Sequence, residues 1–306
     1  STAGVYIITY TTFGSCPNAS TKSITINEID NANFSYASAS FCPNNSDPNP
    51  TISGLTGGSF TSNPVGAIVN GSNGIVSLTA STPGLYNISY TTSGTCPNTS
   101  DFSLLINNLD NSNFEYGKTT FCESESDPVP SISATGTFSV SSAGLIINTT
   151  TGIIDISSST SASYSVTYTT NETCPNTTVK TIVISPLDDV SFSYAAGTYC
   201  PADTDPTPAV TGLIGGLFTY SPFGLSINSA TGSIDLDASI PKVYSIAYTT
   251  NGNCPNTVNQ SITINSSDDP SYNYSNTNYC VTSSDPTPTI SGMAGGTFSS
   301  TAGLSL

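Results

Sequence analysis

Apolar and polar positions alternate along most of this chain. In 189–268, Val190, Phe192 and Tyr194 are separated by serines, and Tyr244, Ile246 and Tyr248 by small residues; Ile262 and Ile264 repeat the spacing. A period of two is what a half-buried β-strand requires, because successive side chains leave the backbone on opposite faces. Between these runs the pattern predicts a strand at 210–213, a short strand at Phe218, and a hairpin. In the hairpin, Leu225 and Ile227 lead through a turn at 228–232 to Ile234 and Leu236. Gly232 occupies the place in that turn where positive φ is needed, and Gly74 and Gly152 hold the same place elsewhere. No stretch has helical periodicity. Six or seven short strands with frequent turn signals predict an all-β, antiparallel β-sandwich.

The pattern recurs. Cys-Pro-Asn begins at Cys16, Cys96, Cys174 and Cys254, and an aromatic-Cys pair at Phe41, Phe121, Tyr199 and Tyr279, both series stepping by 80, 78 and 80 residues. Asp-Pro-x-Pro keeps the same register at Asp47, Asp127, Asp205 and Asp285. The one length change falls in the Gly-rich turn before Phe138, where a loop tolerates it. The predicted organisation is three whole repeats, 31–110, 111–188 and 189–268, arranged end to end. They are flanked by the C-terminal part of a repeat, 1–30, and the N-terminal part of another, 269–306. The expected reading is a window of a longer array; a polymer whose chain ends complement each other is the other.

Composition changes the picture mainly by exclusion. There is no His, no Trp and no Arg; four Lys face 20 acids, and the formal net charge is -16. Such a surface cannot neutralise phosphates, which argues against nucleic-acid binding. Without His there is no ordinary general base near neutral pH, and no polar cluster is confined to one repeat, so no enzyme activity and no cofactor are expected. No apolar run reaches the ~20 residues of a membrane-spanning helix. Aromatic and β-branched content separates the chain from disordered ones.

Eight Cys in one repeated pattern, with no C-x-x-C, point to disulfides in an oxidising compartment. Pairing within each repeat gives Cys42–Cys96, Cys122–Cys174 and Cys200–Cys254, leaving Cys16 and Cys280 to partners outside the sequence. Pairing across a boundary gives Cys16–Cys42 and its equivalents. Within-repeat pairing is the expectation, since the strand after Cys16 carries the chain roughly 20 Å away. Asp30, Asp110, Asp188 and Asp268 recur at the junctions and are the Ca²⁺ candidates, against the simpler reading of solvated turns. The Asp of Asp-Pro-x-Pro reads as a turn cap. Tyr6/Tyr10, Tyr86/Tyr90, Tyr164/Tyr168 and Tyr244/Tyr248 read as strand residues, the first of each like a tyrosine corner. The competing reading is a stacking surface for sugars. The many Asn-x-Ser/Thr sequons follow from composition.

The joint order of these motifs carries a resemblance. Phe41-Cys42, Asp-Pro-x-Pro, Gly-Gly-x-Phe, Gly-Leu-Ser-Ile-Asn, Thr-Gly-x-Ile-Asp-Leu, Tyr-x-Ile-x-Tyr-Thr-Thr and Cys-Pro-Asn together resemble the immunoglobulin-like repeats of giant cell-surface adhesins of Bacteroidota, gliding-motility adhesins included. The resemblance implies tandem immunoglobulin-like sandwiches, secretion by the type IX route and display on the bacterial outer surface. The expected role is a stalk or filament shaft that contacts neighbouring repeats and presents adhesive surface. The alternatives are an array of glycan-binding modules and a self-assembling extracellular fibre.

Overall fold

The computed structural model describes residues 1–306. It is all-β, and no helix is long and apolar enough to cross a membrane. The chain divides into two compact units, Ser1–Phe121 with Glu125–Ile184, and Cys122–Ser124 with Ser185–Leu306.

The first unit opens with a hairpin, β1 (Gly4–Thr11) and β2 (Ala19–Ile26), in which Tyr6 faces Ile24. Eight further strands follow: β3 (Phe34–Ser35), β4 (Ser40–Phe41), β5 (Thr51–Ile52), β6 (Ser59–Asn63), β7 (Ile68–Val69), β8 (Val76–Ser77), β9 (Gly84–Thr91) and β10 (Thr99–Ile106). The order β4-β10-β9-β6 forms one sheet; β3 pairs with β5, and β7 with β8. Side chains of both layers meet in one core, with Ile88, Tyr90 and Leu104 from the large sheet and Val76 from the small pairs all fully buried. The predicted alternation is visible in β9, where Tyr86, Ile88 and Tyr90 are buried and Asn87 is exposed. Each such side chain contributes ~1.5–3 kcal/mol on burial. In β1–β2 no second layer covers the same residues, and Tyr6 is 39% exposed where Tyr86 is 3%.

A second set, in this unit except for Cys122 and Ser185, repeats the order with Thr120–Cys122, Thr177–Ser185, Ala162–Thr170 and Gly136–Val140, around its own core of Phe114, Ile154, Val166 and Ile182. The second unit carries a third set, Thr198–Tyr199, Thr257–Ile264, Lys242–Thr249 and Leu217–Ser221, around Ile234, Tyr244, Ile246 and Ile262. A short pair, Tyr272–Asn273 with Thr289–Ile290, follows. The chain is thus a series of β-sandwiches with separate cores.

The sheets are not wholly antiparallel, as the sequence had suggested. β4 runs parallel to β10, with Phe41 opposite Ile106, and Thr198–Tyr199 runs parallel to Thr257–Ile264. Leu105 N donates to Ala39 O at 2.8 Å and Asn107 N to Phe41 O at 2.9 Å. Two residues suffice to carry the chain to the far end of β10, and this short run decides where Cys42 lies.

Candidate functional site at the disulfide-bonded junctions

Cys96 sits in the turn before β10, and Cys42 just past β4, beside the end of β10. The eight residues of β10 separate the two places by about 25 Å, whereas a disulfide holds its Cα atoms ~4.4–6.8 Å apart. The cysteines of one repeat therefore lie at opposite poles of its sandwich. The expected Cys42–Cys96, Cys122–Cys174 and Cys200–Cys254 do not form. Nor does the boundary pairing Cys16–Cys42: Cys16, Cys96, Cys200 and Cys280 are free thiols.

The bonds present are Cys42–Cys174 and Cys122–Cys254, each with Cα atoms 5.4 Å apart and a sequence separation of 132. The second-series Cys of one repeat, at its exit pole, bonds the first-series Cys of the next repeat, at its entrance pole. Asn44 Nδ2 also crosses to Pro175 O at 2.8 Å, and the sulfur of Cys42 lies 3.4 Å from Thr173 O.

The receiving turn is built by Cys-Pro-Asn and the junction Asp. Thr170 N donates to Asn176 O at 2.9 Å, and Asn176 N to Thr170 Oγ1 at 2.8 Å, closing the turn that carries Cys174. Asp110 N donates to Cys174 O at 2.9 Å. The Asp110 carboxylate accepts from Cys174 N at 3.0 Å and Glu172 N at 3.1 Å. Asp30 accepts from Gly94 N at 3.0 Å and Thr92 Oγ1 at 2.8 Å, and Asp188 from Gly252 N at 3.0 Å. These Ca²⁺ candidates thus face N–H and O–H donors, the opposite of the cage of ~6–8 oxygens that Ca²⁺ takes. Asp268 is exposed, and no three His, Cys, Asp or Glu residues gather anywhere in the chain to hold a metal. Asp189 and Asp269 cap the next turns, where bonds from Ser191 and Ser271 hold their carboxyls below the usual range.

The Asp of Asp-Pro-x-Pro caps across the sandwich rather than within its own turn. Asp47, Asp127 and Asp205 accept from Leu78 N, Ile156 N and Leu236 N at 2.8, 3.0 and 2.9 Å.

The tyrosine pairs of the complete repeats are interior, so they offer no stacking surface. Tyr86, Tyr164 and Tyr244 donate to the carbonyls of Thr82, Thr160 and Ile240, four residues back, at 2.7, 2.7 and 2.5 Å, which is tyrosine-corner geometry. Tyr90 and Tyr248 donate to Leu55 O and Leu213 O at 2.6 Å. A third set escaped the sequence reading. Tyr36, Tyr116 and Tyr194 donate to Gly74 O, Gly152 O and Gly232 O at 2.5 Å, and burial pushes their hydroxyls well above the ordinary tyrosine range. The signal was the third apolar position of each first strand, where a polar-tipped aromatic recurs.

Two shallow, open depressions mark the second unit, one at Ser185, Asp188, Leu213 and Cys254, the other at Tyr272, Ile290, Met293 and Phe298. Neither gathers a catalytic constellation.

No protein-family model and no curated protein matches the chain. Among solved structures it is similar to protocadherin gamma B2 extracellular cadherin domains 3–6, at 10% identity and a TM-score of 0.29 over 87% of this chain and 84% of that one. Human CDH23 EC21–23 matches at 11% identity and a TM-score of 0.32, over 74% and 96%. Mouse cadherin-23 EC22–24 matches at 11% and 0.26, over 77% and 99%.

Proposed function

We propose that this chain is a mechanical, non-catalytic segment, the stalk or filament shaft of a secreted cell-surface adhesin. The observation that supports this best is the covalent bond from each repeat to the next, at Cys42–Cys174 and Cys122–Cys254. Disulfides of this kind belong to an oxidising, exported environment. Repetition supports it too: the same core and the same turn are built again, and no repeat is specialised. The repeat units are 31–110, 111–188 and 189–268, each with its own core. The partners are neighbouring repeats of the same kind. Cys96 and Cys200 sit in settings like those of bonded cysteines. Cys96 Sγ lies 4.0 Å from Asn27 O as Cys254 Sγ does from Ser185 O, and Cys200 N is held by Asp203 as Cys42 N is by Asn45. The order of the motifs supports display on a bacterial outer surface, as in adhesins of the gliding type.

The test is a glycan array read beside broad-specificity proteolysis of the oxidised chain. A stalk resists cleavage and binds no glycan class in a saturable way. Robust binding to one glycan class would overturn the reading in favour of a module array.

A further inference from the structure

The two disulfides cross along the chain. Cys122 lies within the 42–174 loop, and Cys174 within the 122–254 loop. We propose that this crossing acts as a covalent extension stop, limiting the chain under tension to about half its full contour. The inference goes beyond the stalk reading, since it concerns bond connectivity and holds whatever the chain adheres to.

A chain held at both ends becomes taut along its shortest covalent path. Besides the uninterrupted backbone, three routes lead from Cys42 to Cys254. One follows the backbone forward to Cys122 and crosses there. Another crosses at once to Cys174 and runs forward. Each takes about 80 residues. The third crosses to Cys174, runs backwards along the middle repeat to Cys122, and crosses again, taking about 52 residues. Load therefore leaves the main chain at Cys42 and passes through the middle repeat in reverse. It enters at Cys174, before the strand Thr177–Ser185, and leaves at Cys122, at the end of the neighbouring strand Thr120–Cys122. The middle sandwich is pulled from pole to pole.

The end-to-end path of the oxidised chain is then about 145 residues, or about 500 Å at ~3.3–3.6 Å per residue, against about 1,050 Å for the reduced chain. Crossing makes the effect strongly non-additive. Opening either bond alone lengthens the path by about 28 residues, or about 100 Å, because the other bond still spans most of the slack. Opening both releases about 560 Å.

The experiment is single-molecule stretching between cysteine-free handles at Ser1 and Leu306, read as the final contour length, which does not depend on whether a variant folds stably under load. The oxidised chain should end at about 500 Å, Cys122→Ser and Cys42→Ser each at about 600 Å, and the reduced chain at about 1,050 Å. Within-repeat bonds would give the unaltered oxidised chain the same length, so the deciding variant is Cys200→Ser. It should leave the length at about 500 Å; lengthening to about 700 Å would overturn the proposal. Equal additive increments from single and double variants would overturn it as well.

Discussion

Replacing Gly152 with Ala separates backbone strain from packing, because Gly117 in the same repeat supplies the control. Both have positive φ, +74° at Gly152 and +80° at Gly117. A Cβ at Gly117 meets nothing within 4 Å, whereas at Gly152 it would stand 2.6 Å from Phe138 ring carbons and from Pro130 Cγ. Carbon atoms settle ~3.5–4.0 Å apart, so the Phe138 ring and Pro130 would each have to retreat by about 1 Å. Phe138 is 2% exposed and has little room. The left-handed conformation costs an L-residue ~1–2 kcal/mol, which is the expected loss for Gly117→Ala. Overpacking adds ~1–3 kcal/mol, so Gly152→Ala should lose ~2–5 kcal/mol in all. Hydrogen-exchange mass spectrometry on peptides from the strand Thr177–Ser185 reads the core of that repeat alone. A loss of ~3 kcal/mol should speed exchange there roughly a hundredfold, against about tenfold for Gly117→Ala. Equal effects of the two substitutions would refute the claim that the hairpin turn is packed beneath the aromatic core.

Three further outcomes follow from the hydrogen bonds. Tyr248→Phe strands Leu213 O and Gly216 N, which the hydroxyl bonds at 2.6 and 3.0 Å, and should lower stability by ~1–3 kcal/mol in chemical denaturation; a neutral result contradicts the assignment. Asp110→Ala removes the acceptor for Cys174 N and Glu172 N, and should make Cys42–Cys174 the faster of the two bonds to be reduced by dithiothreitol, while equal rates would remove Asp110 from the junction. Alkali should act through Tyr36, Tyr116 and Tyr194, whose folded-state ionisation is pushed upward by burial. Their contribution is complete below the unfolded value near ~10 and declines as pH rises above it. Tyrosinate absorbance of these three should therefore appear with unfolding rather than ahead of it.

Much of the sandwich was legible because a half-buried strand writes itself as alternation. Tyr86, Ile88 and Tyr90, and the turn glycines Gly74, Gly152 and Gly232, occupy the places the pattern assigned them. What escaped was carried by segments too short to have a period. Ser40–Phe41 is a two-residue strand, and nothing in its sequence says that it lies parallel to Thr99–Ile106. That one pairing sends Cys42 to the pole opposite Cys96 and overturns the within-repeat disulfides. The caps were half legible: Asp47 reads as a cap, but its partner, Leu78 N, lies 31 residues on and is set by how the layers close. The junction acids looked like cation ligands because sequence displays carboxylates and hides the amide N–H groups that occupy them.

The linkage from one repeat to the next is tested most directly by proteolysing the chain under non-reducing conditions and sequencing the disulfide-linked peptides by mass spectrometry. Peptides joining Cys42 to Cys174 and Cys122 to Cys254 are the expected products. Peptides joining Cys42 to Cys96, or Cys122 to Cys174, would contradict it.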